Sequence, residues 1–169
     1  MTIYTGCYNV DGRIDAGGSV YVTGSRGAYS TDIIAEEDVD CDATWACYYS
    51  TITAGDDVTV EGNYGAYRST IDANDVDCDA QYACAYSDIT SDGSVEALSS
   101  RSIYYATITG PSSVYAYGYY SVAYTTITAI ESATFTGYFY GYYSGYQTDI
   151  NCAAGPVSYT HLRAHETEL

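Results

Sequence analysis

The chain repeats itself at intervals of 19 or 18 residues, and this repetition constrains its fold more than any single motif does. The stretch 38–56 reads DVDCDATWACYYSTITAGD, and the stretch 75–93 reads DVDCDAQYACAYSDITSDG. Between them, 57–74 follows the same template with Val60 and Ala66 where its neighbours carry cysteines. Units this short cannot bury an apolar face alone, so the repetition predicts units stacked on one another.

Three apolar columns run through the repeats: an anchor, a second position two residues later, and an isoleucine thirteen residues after the anchor. The anchors are Val20, Val39, Val58, Val76, Val95, Val114 and Ala133; the second column is Val22, Cys41, Val60, Cys78, Ala97, Ala116 and Phe135; the isoleucines are Ile33, Ile52, Ile71, Ile89, Ile108 and Ile127. Small residues lie two positions before and after each isoleucine. Alternation of period two is typical of β-strands with one buried side.

The predicted fold is therefore all-β: a single-stranded parallel β-helix, or solenoid, of about eight coils over residues 1–156. Each coil has 18 or 19 residues, and successive coils rise by about 4.8 Å. We prefer a right-handed coil and leave the hand open. Ile150 arrives 17 residues after Ala133 instead of thirteen, which predicts an inserted loop of four residues or the start of a cap.

The last thirteen residues, 157–169, are treated apart from the solenoid. Val157–Thr167 reads VSYTHLRAHET, which resembles the in-frame translation of a transposase adapter used to prepare sequencing libraries, and the repeat pattern ends just before it. We expect an artefactual or disordered tail on a fragment cut at both ends. The alternative is a natural polar tail.

The charge balance excludes several classes of partner. Apart from the tail, the chain has four arginines, no lysine, no histidine and twenty acids, which is the total of 22 less Glu166 and Glu168. Phosphate recognition needs clustered basic residues, so we expect no nucleic-acid partner. No apolar run approaches the roughly twenty residues that cross a bilayer, so we expect no membrane insertion.

Four cysteines form two pairs with the same spacing, Cys41 with Cys47 and Cys78 with Cys84, in coils two apart. Where one member of a pair is replaced in another coil the other is replaced too, which suggests that the partners meet inside one coil. A bridge between the pairs would span about 9.5 Å, beyond the Cα limit of about 7 Å. Intracoil disulfides, buried free thiols and metal binding remain as alternatives. Disulfides would place the protein outside the cytosol.

Three ladders of side chains are expected on the outside of the coils. An acidic ladder is a candidate calcium site or a solvated charged face; it comprises Asp40, Asp42, Glu61, Asp77 and Asp79. A threonine ladder, interrupted by Asp32, Asp72 and Asp88, comprises Thr51, Thr53, Thr70, Thr107, Thr109, Thr126 and Thr128. A tyrosine ladder, which would stabilise the stack or bind sugars or proteins, comprises Tyr29, Tyr48, Tyr49, Tyr67, Tyr86, Tyr104, Tyr105, Tyr124, Tyr142 and Tyr143.

Two resemblances bear on function. The threonine ladder resembles, in this one face, the threonine arrays of insect-type ice-binding solenoids, which implies ordered water held on spaced hydroxyls and methyls. The Y-x-C/A-x-Y-S-x-I cadence is similar to that of tyrosine- and cysteine-bearing repeat proteins predicted in marine microbes and algae, most of them without an assigned function.

These observations favour a non-catalytic structural or adhesive repeat module that is extracellular or at the cell surface. We expect no cofactor, apart from calcium if the acidic ladder holds it, and partners among carbohydrates, ice and other surface proteins. The alternatives are an ice-binding protein that uses the threonine ladder and a polysaccharide-active β-helix enzyme. Carboxylate pairs are plentiful in the sequence, but nothing selects one pair as catalytic.

Overall fold

The computed structural model describes residues 3–6, 12–98, 101–118, 120–139, 149–154 and 157–163, and every regular element in these ranges is a β-strand. None of the described residues belongs to a helix that could cross a membrane. The strands are β1 Ile3–Gly6, β2 Gly12–Ala16, β3 Val20–Tyr29, β4 Thr31–Ala35, β5 Val39–Tyr48, β6 Thr51–Ala54, β7 Val58–Tyr67, β8 Thr70–Ala73, β9 Val76–Ala85, β10 Asp88–Ser91, β11 Ser94–Leu98, β12 Arg101–Tyr104, β13 Thr107–Thr109, β14 Ser113–Gly118, β15 Tyr120–Ala123, β16 Thr126–Ala129, β17 Ser132–Phe139, β18 Asp149–Cys152 and β19 Val157–Arg163.

The strands stack into two parallel sheets, one of eleven strands and one of eight among the described residues. The larger sheet runs β1-β3-β5-β7-β9-β11-β14-β17-β19, with β12 pairing β9 and β15; the smaller runs β2-β4-β6-β8-β10-β13-β16-β18. Each strand pairs with its equivalent one repeat away, for example Val39 with Val58 and Ile52 with Ile71. The fold is thus the expected all-β parallel solenoid.

The described residues make about six turns, so the prediction of about eight coils was too high. Residues 7–11 and 140–148 lie outside the described residues.

The valine and isoleucine columns fill a common interior, as the period-two pattern requires. Every anchor from Val20 to Ala133 and every isoleucine from Ile33 to Ile127 is at most 1% exposed. Side chains of this size contribute roughly 1.5–3 kcal/mol each when fully buried. The second column is also buried from Val22 to Ala116, whereas the side chain of Phe135 lies outside the described residues.

Near the C-terminal end, Ile150 lies four residues later in the repeat than expected, but its strand still pairs with the strand of the preceding coil. Ile127 pairs with Ile150, 23 residues on, instead of a residue 19 away. The four extra residues fall between β17 and β18, as an insertion requires.

The segment that the sequence analysis set apart takes part in the larger sheet. Val157–Arg163 forms β19, which pairs in parallel with β17 from Ala133↔Val157 to Phe139↔Arg163. Its origin in an adapter stays a prediction.

A sharp corner follows each long strand, and one residue there adopts a left-handed conformation. The residues are Ser30, Tyr49, Arg68, Tyr86, Tyr105 and Tyr124, with φ between 50° and 57°. Non-glycine residues rarely adopt this conformation, and tyrosine is not among the types that do so readily. Its recurrence in six successive coils shows that stacking with the neighbouring coils fixes the corner.

Buried hydroxyl groups satisfy the backbone at these corners. The Ser50 hydroxyl donates to the Ala28 carbonyl at 2.9 Å and accepts from the Thr31 N–H at 3.3 Å. The Ser69 hydroxyl likewise donates to the Cys47 carbonyl and accepts from the Ser50 N–H. Ser87 continues this serine ladder, so each coil is tied through its interior to the previous one.

The opposite corner, which precedes each long strand, is tied on the outside by aspartates. Asp38 accepts from the Asp57 N–H at 3.3 Å, and Asp57 accepts from the Asp75 N–H at 3.2 Å. Asp75 then accepts from both the N–H and the hydroxyl of Ser94. These turn carboxylates therefore have a structural role as acceptors for the next coil.

Candidate functional surfaces

The long strands β3, β5, β7 and β9 each divide into two halves with different chemistry. The alternation of buried and exposed residues breaks in mid-strand, where Gly24 and Gly62 have φ near 125° and where Ala43 and Ala80 take the equivalent places. The half before the break carries the acidic ladder. The half after it carries aromatic residues.

Eleven aromatic residues form a continuous surface, here called the aromatic edge, along the second halves and the left-handed corners. They are Tyr29, Trp45, Tyr48, Tyr49, Tyr64, Tyr67, Tyr82, Tyr86, Tyr104, Tyr105 and Tyr124. Within each column the rings lie nearly parallel, as in Trp45–Tyr64 at 4.2 Å and 8° and in Tyr105–Tyr124 at 4.4 Å and 4°. Edge-to-face contacts such as Tyr64–Tyr67 at 5.8 Å join neighbouring columns.

Within the described residues, the rings of the tyrosine ladder stack along the solenoid as predicted. Tyr142 and Tyr143, which were also assigned to it, lie outside them. The column of Trp45, Tyr64 and Tyr82 was not predicted, although these residues recur at repeat spacing. Because ring faces cover one another along the solenoid axis, the edge presents ring rims and hydroxyls outward.

Three of the four arginines outside the tail belong to the aromatic edge. The Arg68 guanidinium lies 5.3 Å from the Tyr49 ring centroid and 5.6 Å from that of Tyr86, and it donates to the Tyr49 hydroxyl at 2.5 Å. Arg101 lies 4.9 Å from the Tyr82 ring and donates to its hydroxyl at 2.7 Å. Arg26 pairs in register with Trp45. The sequence alone did not show that these arginines share one surface, because they occupy two different columns of the repeat.

The aromatic edge carries no carboxylate. The segments 25–30, 44–49, 63–68, 81–86 and 101–105 contain no Asp or Glu, although the whole chain has 22. Among the described residues, the carboxylates therefore lie on the other sides of the solenoid.

The threonine ladder lies on the outside of the smaller sheet, as expected. One column runs Thr51, Thr70, Asp88, Thr107, Thr126 and the other Thr53, Asp72, Thr90, Thr109, Thr128, and all ten side chains are exposed. Eight of these ten are threonine, since Thr90 joins the seven that were predicted. Asp72 and Asp88 interrupt the array in two adjacent coils, and toward the N-terminus Asp32 and Ile34 end it.

The acidic ladder also lies outside, in two columns of the larger sheet. Asp42, Glu61 and Asp79 occupy successive coils of one column, and Asp40 and Asp77 flank Thr59 in the other. Partial burial raises the pKa of Asp40 and of Asp77, and the neighbouring charges of Asp42 and Asp79 raise them further. Among the described residues no three Asp, Glu, His or Cys side chains converge to hold a metal ion. The calcium site therefore stays a prediction.

The four repeat cysteines are fully buried, with Cys41 and Cys47 both on β5 and Cys78 and Cys84 both on β9. Burial and the neighbouring Cys41 thiol raise the pKa of Cys47, and the neighbouring Cys84 thiol together with burial raises the pKa of Cys78. The intracoil disulfides stay a prediction. All four are free thiols in this structure.

Comparison with protein-family models, curated proteins and solved structures finds no match to this chain, so its function is argued from these surfaces alone.

Proposed function

We propose that the chain is a non-catalytic adhesive repeat module, at the cell surface or outside the cell, whose aromatic edge binds an extended polysaccharide. The observation that carries this proposal is the segregation of charge. The one side without carboxylates holds eleven aromatic rings and three arginines.

The composition of the aromatic edge is that of a binding surface. Tyr, Trp and Arg are enriched and Asp and Glu depleted where proteins contact partners. Tyr49, Tyr86 and Tyr105 each remain more than 40% exposed, even though each has other rings beside it. Tyrosine offers such a partner both an apolar ring and a hydroxyl group.

The shape of the aromatic edge favours a long ligand over a small one. The rings recur with each coil and follow the solenoid axis, so the same set of ring rims, hydroxyls and guanidinium groups is offered several times in a row. A linear polymer with its own repeat can engage many such positions at once, and weak contacts then add up through multivalency.

Binding to polysaccharides tests the proposal directly. The full chain is mixed with insoluble cellulose or chitin and with soluble polyuronate, and binding is measured by sedimentation and by affinity electrophoresis. We expect retention on at least one polymer. Absence of retention on all of them, with the fold intact by circular dichroism, would overturn the assignment of a polysaccharide ligand.

A matched pair of variants assigns the binding to the aromatic edge. Tyr105→Asn removes an exposed ring while leaving a residue that tolerates the left-handed corner. Thr107→Asn changes an exposed residue two positions away on the threonine ladder. Retention should fall at least several-fold in the first variant and stay within error of wild type in the second; the reverse result would move the binding site to the threonine ladder.

Ice binding by the threonine ladder is the second candidate, supported by eight threonines at ten outward positions of one regular sheet. Thermal hysteresis and the shape of growing ice crystals measure it. Thr109→Asp, which repeats the natural interruption at Asp72, should reduce the hysteresis, whereas Tyr105→Asn should leave it unchanged.

The remaining parts of the proposal concern location, calcium and catalysis. Intracoil disulfides would fit a location in an oxidising compartment. Calcium bound to the acidic ladder would reduce repulsion between its carboxylates, and titration calorimetry measures it. A reducing-end assay on acidic polysaccharides tests the enzyme alternative, which no observation on the described residues favours.

A further inference from the structure

Four interior positions of the long strands change together from coil to coil. Two coils are of a valine type and two of a cysteine type, and the types alternate along the axis. The valine coils carry Val22, Gly24, Gly27, Ala28 and Val60, Gly62, Gly65, Ala66; the cysteine coils carry Cys41, Ala43, Ala46, Cys47 and Cys78, Ala80, Ala83, Cys84. The structural repeat in this part of the chain is therefore a pair of coils.

Steric fit explains the alternation. A Cβ at Gly27 would lie 2.8 Å from the Ala46 carbonyl oxygen and 3.1 Å from the Ala43 Cβ of the next coil. A Cβ at Gly65 would lie 2.9 Å from the Ala80 Cβ. The glycines of a valine coil thus leave the space that the alanine methyls of a cysteine coil fill.

This alternation leaves each cysteine with one partner within reach. Cys41 pairs in register with Val60, and Val60 with Cys78; Ala66 separates Cys47 from Cys84 in the same way. The two dithiols are therefore two coil rises apart, about 9.6 Å at the strand spacing, beyond the Cα limit of about 7 Å for a disulfide. Four cysteines allow three pairings, and the fold permits one of them.

We propose that each cysteine coil closes its own disulfide, Cys41–Cys47 and Cys78–Cys84, and that the valine coil between them restricts oxidation to this connectivity. The oxidant is a small-molecule or protein disulfide. One cysteine thiolate attacks it, forming a mixed disulfide and releasing a thiolate; the second cysteine then displaces the other thiolate. Two thiols lose two electrons and two protons, and the oxidant's disulfide is reduced to two thiol groups.

Oxidation has to occur during folding, before the coils close, and a link between the two pairs is reshuffled by thiol–disulfide exchange because the closed coils cannot accommodate it. All four cysteines are 0% exposed in the folded chain, so an oxidant cannot reach them. Burial and contact with Cys41 raise the pKa of Cys47, and the contact with Cys84 together with burial raises that of Cys78. Since the thiolate is the attacking species, a chain folded in the reduced form stays reduced.

The four internal arginines make the connectivity easy to read. The full chain is refolded from the reduced, denatured state with glutathione and glutathione disulfide, alkylated under denaturing conditions and cut with trypsin. Cleavage after Arg26, Arg68 and Arg101 places one dithiol in peptide 27–68 and the other in 69–101. We expect two separate, unalkylated peptides, each about 2 Da lighter than its reduced, unalkylated form because a disulfide lacks two thiol hydrogens.

Two results would overturn the proposal: a covalent link between these peptides or to Cys7 or Cys152, and complete alkylation of the four cysteines after oxidative refolding. Cys47→Ala is the matched control, because alanine occupies the equivalent positions Ala28 and Ala66. In this variant Cys41 should become alkylated, while peptide 69–101 should keep its 2 Da difference (about two hydrogens). If the Cys78–Cys84 disulfide were lost as well, the two cysteine pairs would not oxidise independently, and the valine coil would not separate them as proposed.

Discussion

The two halves of each long strand have opposite surfaces although they belong to the same sheet. The first half carries Asp and Glu in the middle coils, and partial burial together with repulsion raises the pKa of Asp40 and Asp77. The second half carries stacked rings and arginines and no carboxylate. The first half therefore lowers stability where its charges meet, whereas the second half adds stability where its rings meet.

The corners at the two ends of the long strands follow the same division. The acidic half begins at turns tied on the outside by aspartate side chains, and the aromatic half ends at left-handed corners tied on the inside by serine hydroxyls. Each corner thus supplies hydrogen-bond partners where the strand ladder is interrupted. The difference lies in exposure, because only the serine ladder is sealed from water.

The largest effect should come from placing a carboxylate in the aromatic half. Tyr64→Asp removes the stacks with Trp45 and Tyr82, at 4.2 Å and 4.9 Å, and inserts a charge between them. With about 0.5–1.5 kcal/mol per aromatic pair, we expect a loss of about 2–3 kcal/mol in the free energy of unfolding, measured by urea denaturation.

The matched change in the acidic half should cost less. Thr59→Asp places a carboxylate between Asp40 and Asp77, in partly exposed positions. We expect a loss of about 1 kcal/mol or less that added salt reverses. If the two variants lost equal stability with equal salt dependence, the aromatic half would not be more sensitive to a carboxylate than the acidic half.

Removing a hydroxyl from the serine ladder should also lower the stability of the fold. Ser69→Ala removes the donor to the Cys47 carbonyl and the acceptor of the Ser50 N–H, and both are then left buried without these contacts. A loss of about 1–3 kcal/mol follows from an unsatisfied buried group, and thermal unfolding measures it. The reverse change, Ala106→Ser at the equivalent position of a later coil, should raise the melting temperature; an unchanged or lower value would show that the hydroxyl does not stabilise this corner.

The interior of the solenoid could be predicted from the sequence, whereas the details of its corners could not. Val58 and Ile71 belong to columns of period two, and burial follows from periodicity alone. The left-handed conformation at Tyr49 could not be inferred, because tyrosine has no intrinsic preference for it and the stacking of coils imposes it.

The positions of the outer columns could be predicted from the sequence, but the contacts that their side chains make could be predicted only in part. The threonine and acidic columns follow directly from alternation. The role of Arg68 could not be found, since a single arginine in a repeat position where four of the other five described coils carry tyrosine looks like an exception until its guanidinium is seen between two rings. The glycine and alanine alternation was visible in the sequence, but its meaning depends on contacts between neighbouring coils.

Arg68 itself should give a smaller effect than the serine ladder. Arg68→Gln removes the contacts of the guanidinium with the Tyr49 and Tyr86 rings, and a small loss in the free energy of unfolding is expected because these cation–π contacts are exposed to solvent. Arg68→Tyr continues the column with the residue found in neighbouring coils and should lose less. If Arg68→Tyr were the less stable of the two in chemical denaturation, stacking along this column would not explain the place of Arg68.

The smallest effect should come from removing a charge from the acidic half, and its sign is opposite to the others. The folded-state pKa of Asp77 is raised, so the folded chain holds this proton more tightly than the unfolded chain does. The ionised carboxylate therefore destabilises the fold at neutral pH, and this cost disappears as the pH falls through the raised pKa toward the unfolded value of about 3.9. Asp77→Asn should be more stable than wild type at pH 7 by less than about 1 kcal/mol, because the site is partly exposed.

Below pH of about 3.9 the two proteins should unfold at the same denaturant concentration, since Asp77 is then neutral in both states. Asp79→Asn separates the two causes. It removes the neighbouring charge and leaves the burial that contributes most, so an NMR titration should show the pKa of Asp77 lowered but still above its usual value. A stability difference at pH 7 that favoured wild-type Asp77 would mean that this carboxylate is stabilised by a bound cation or a hydrogen bond, and the acidic half would then resemble the aspartate-tied turns beside it.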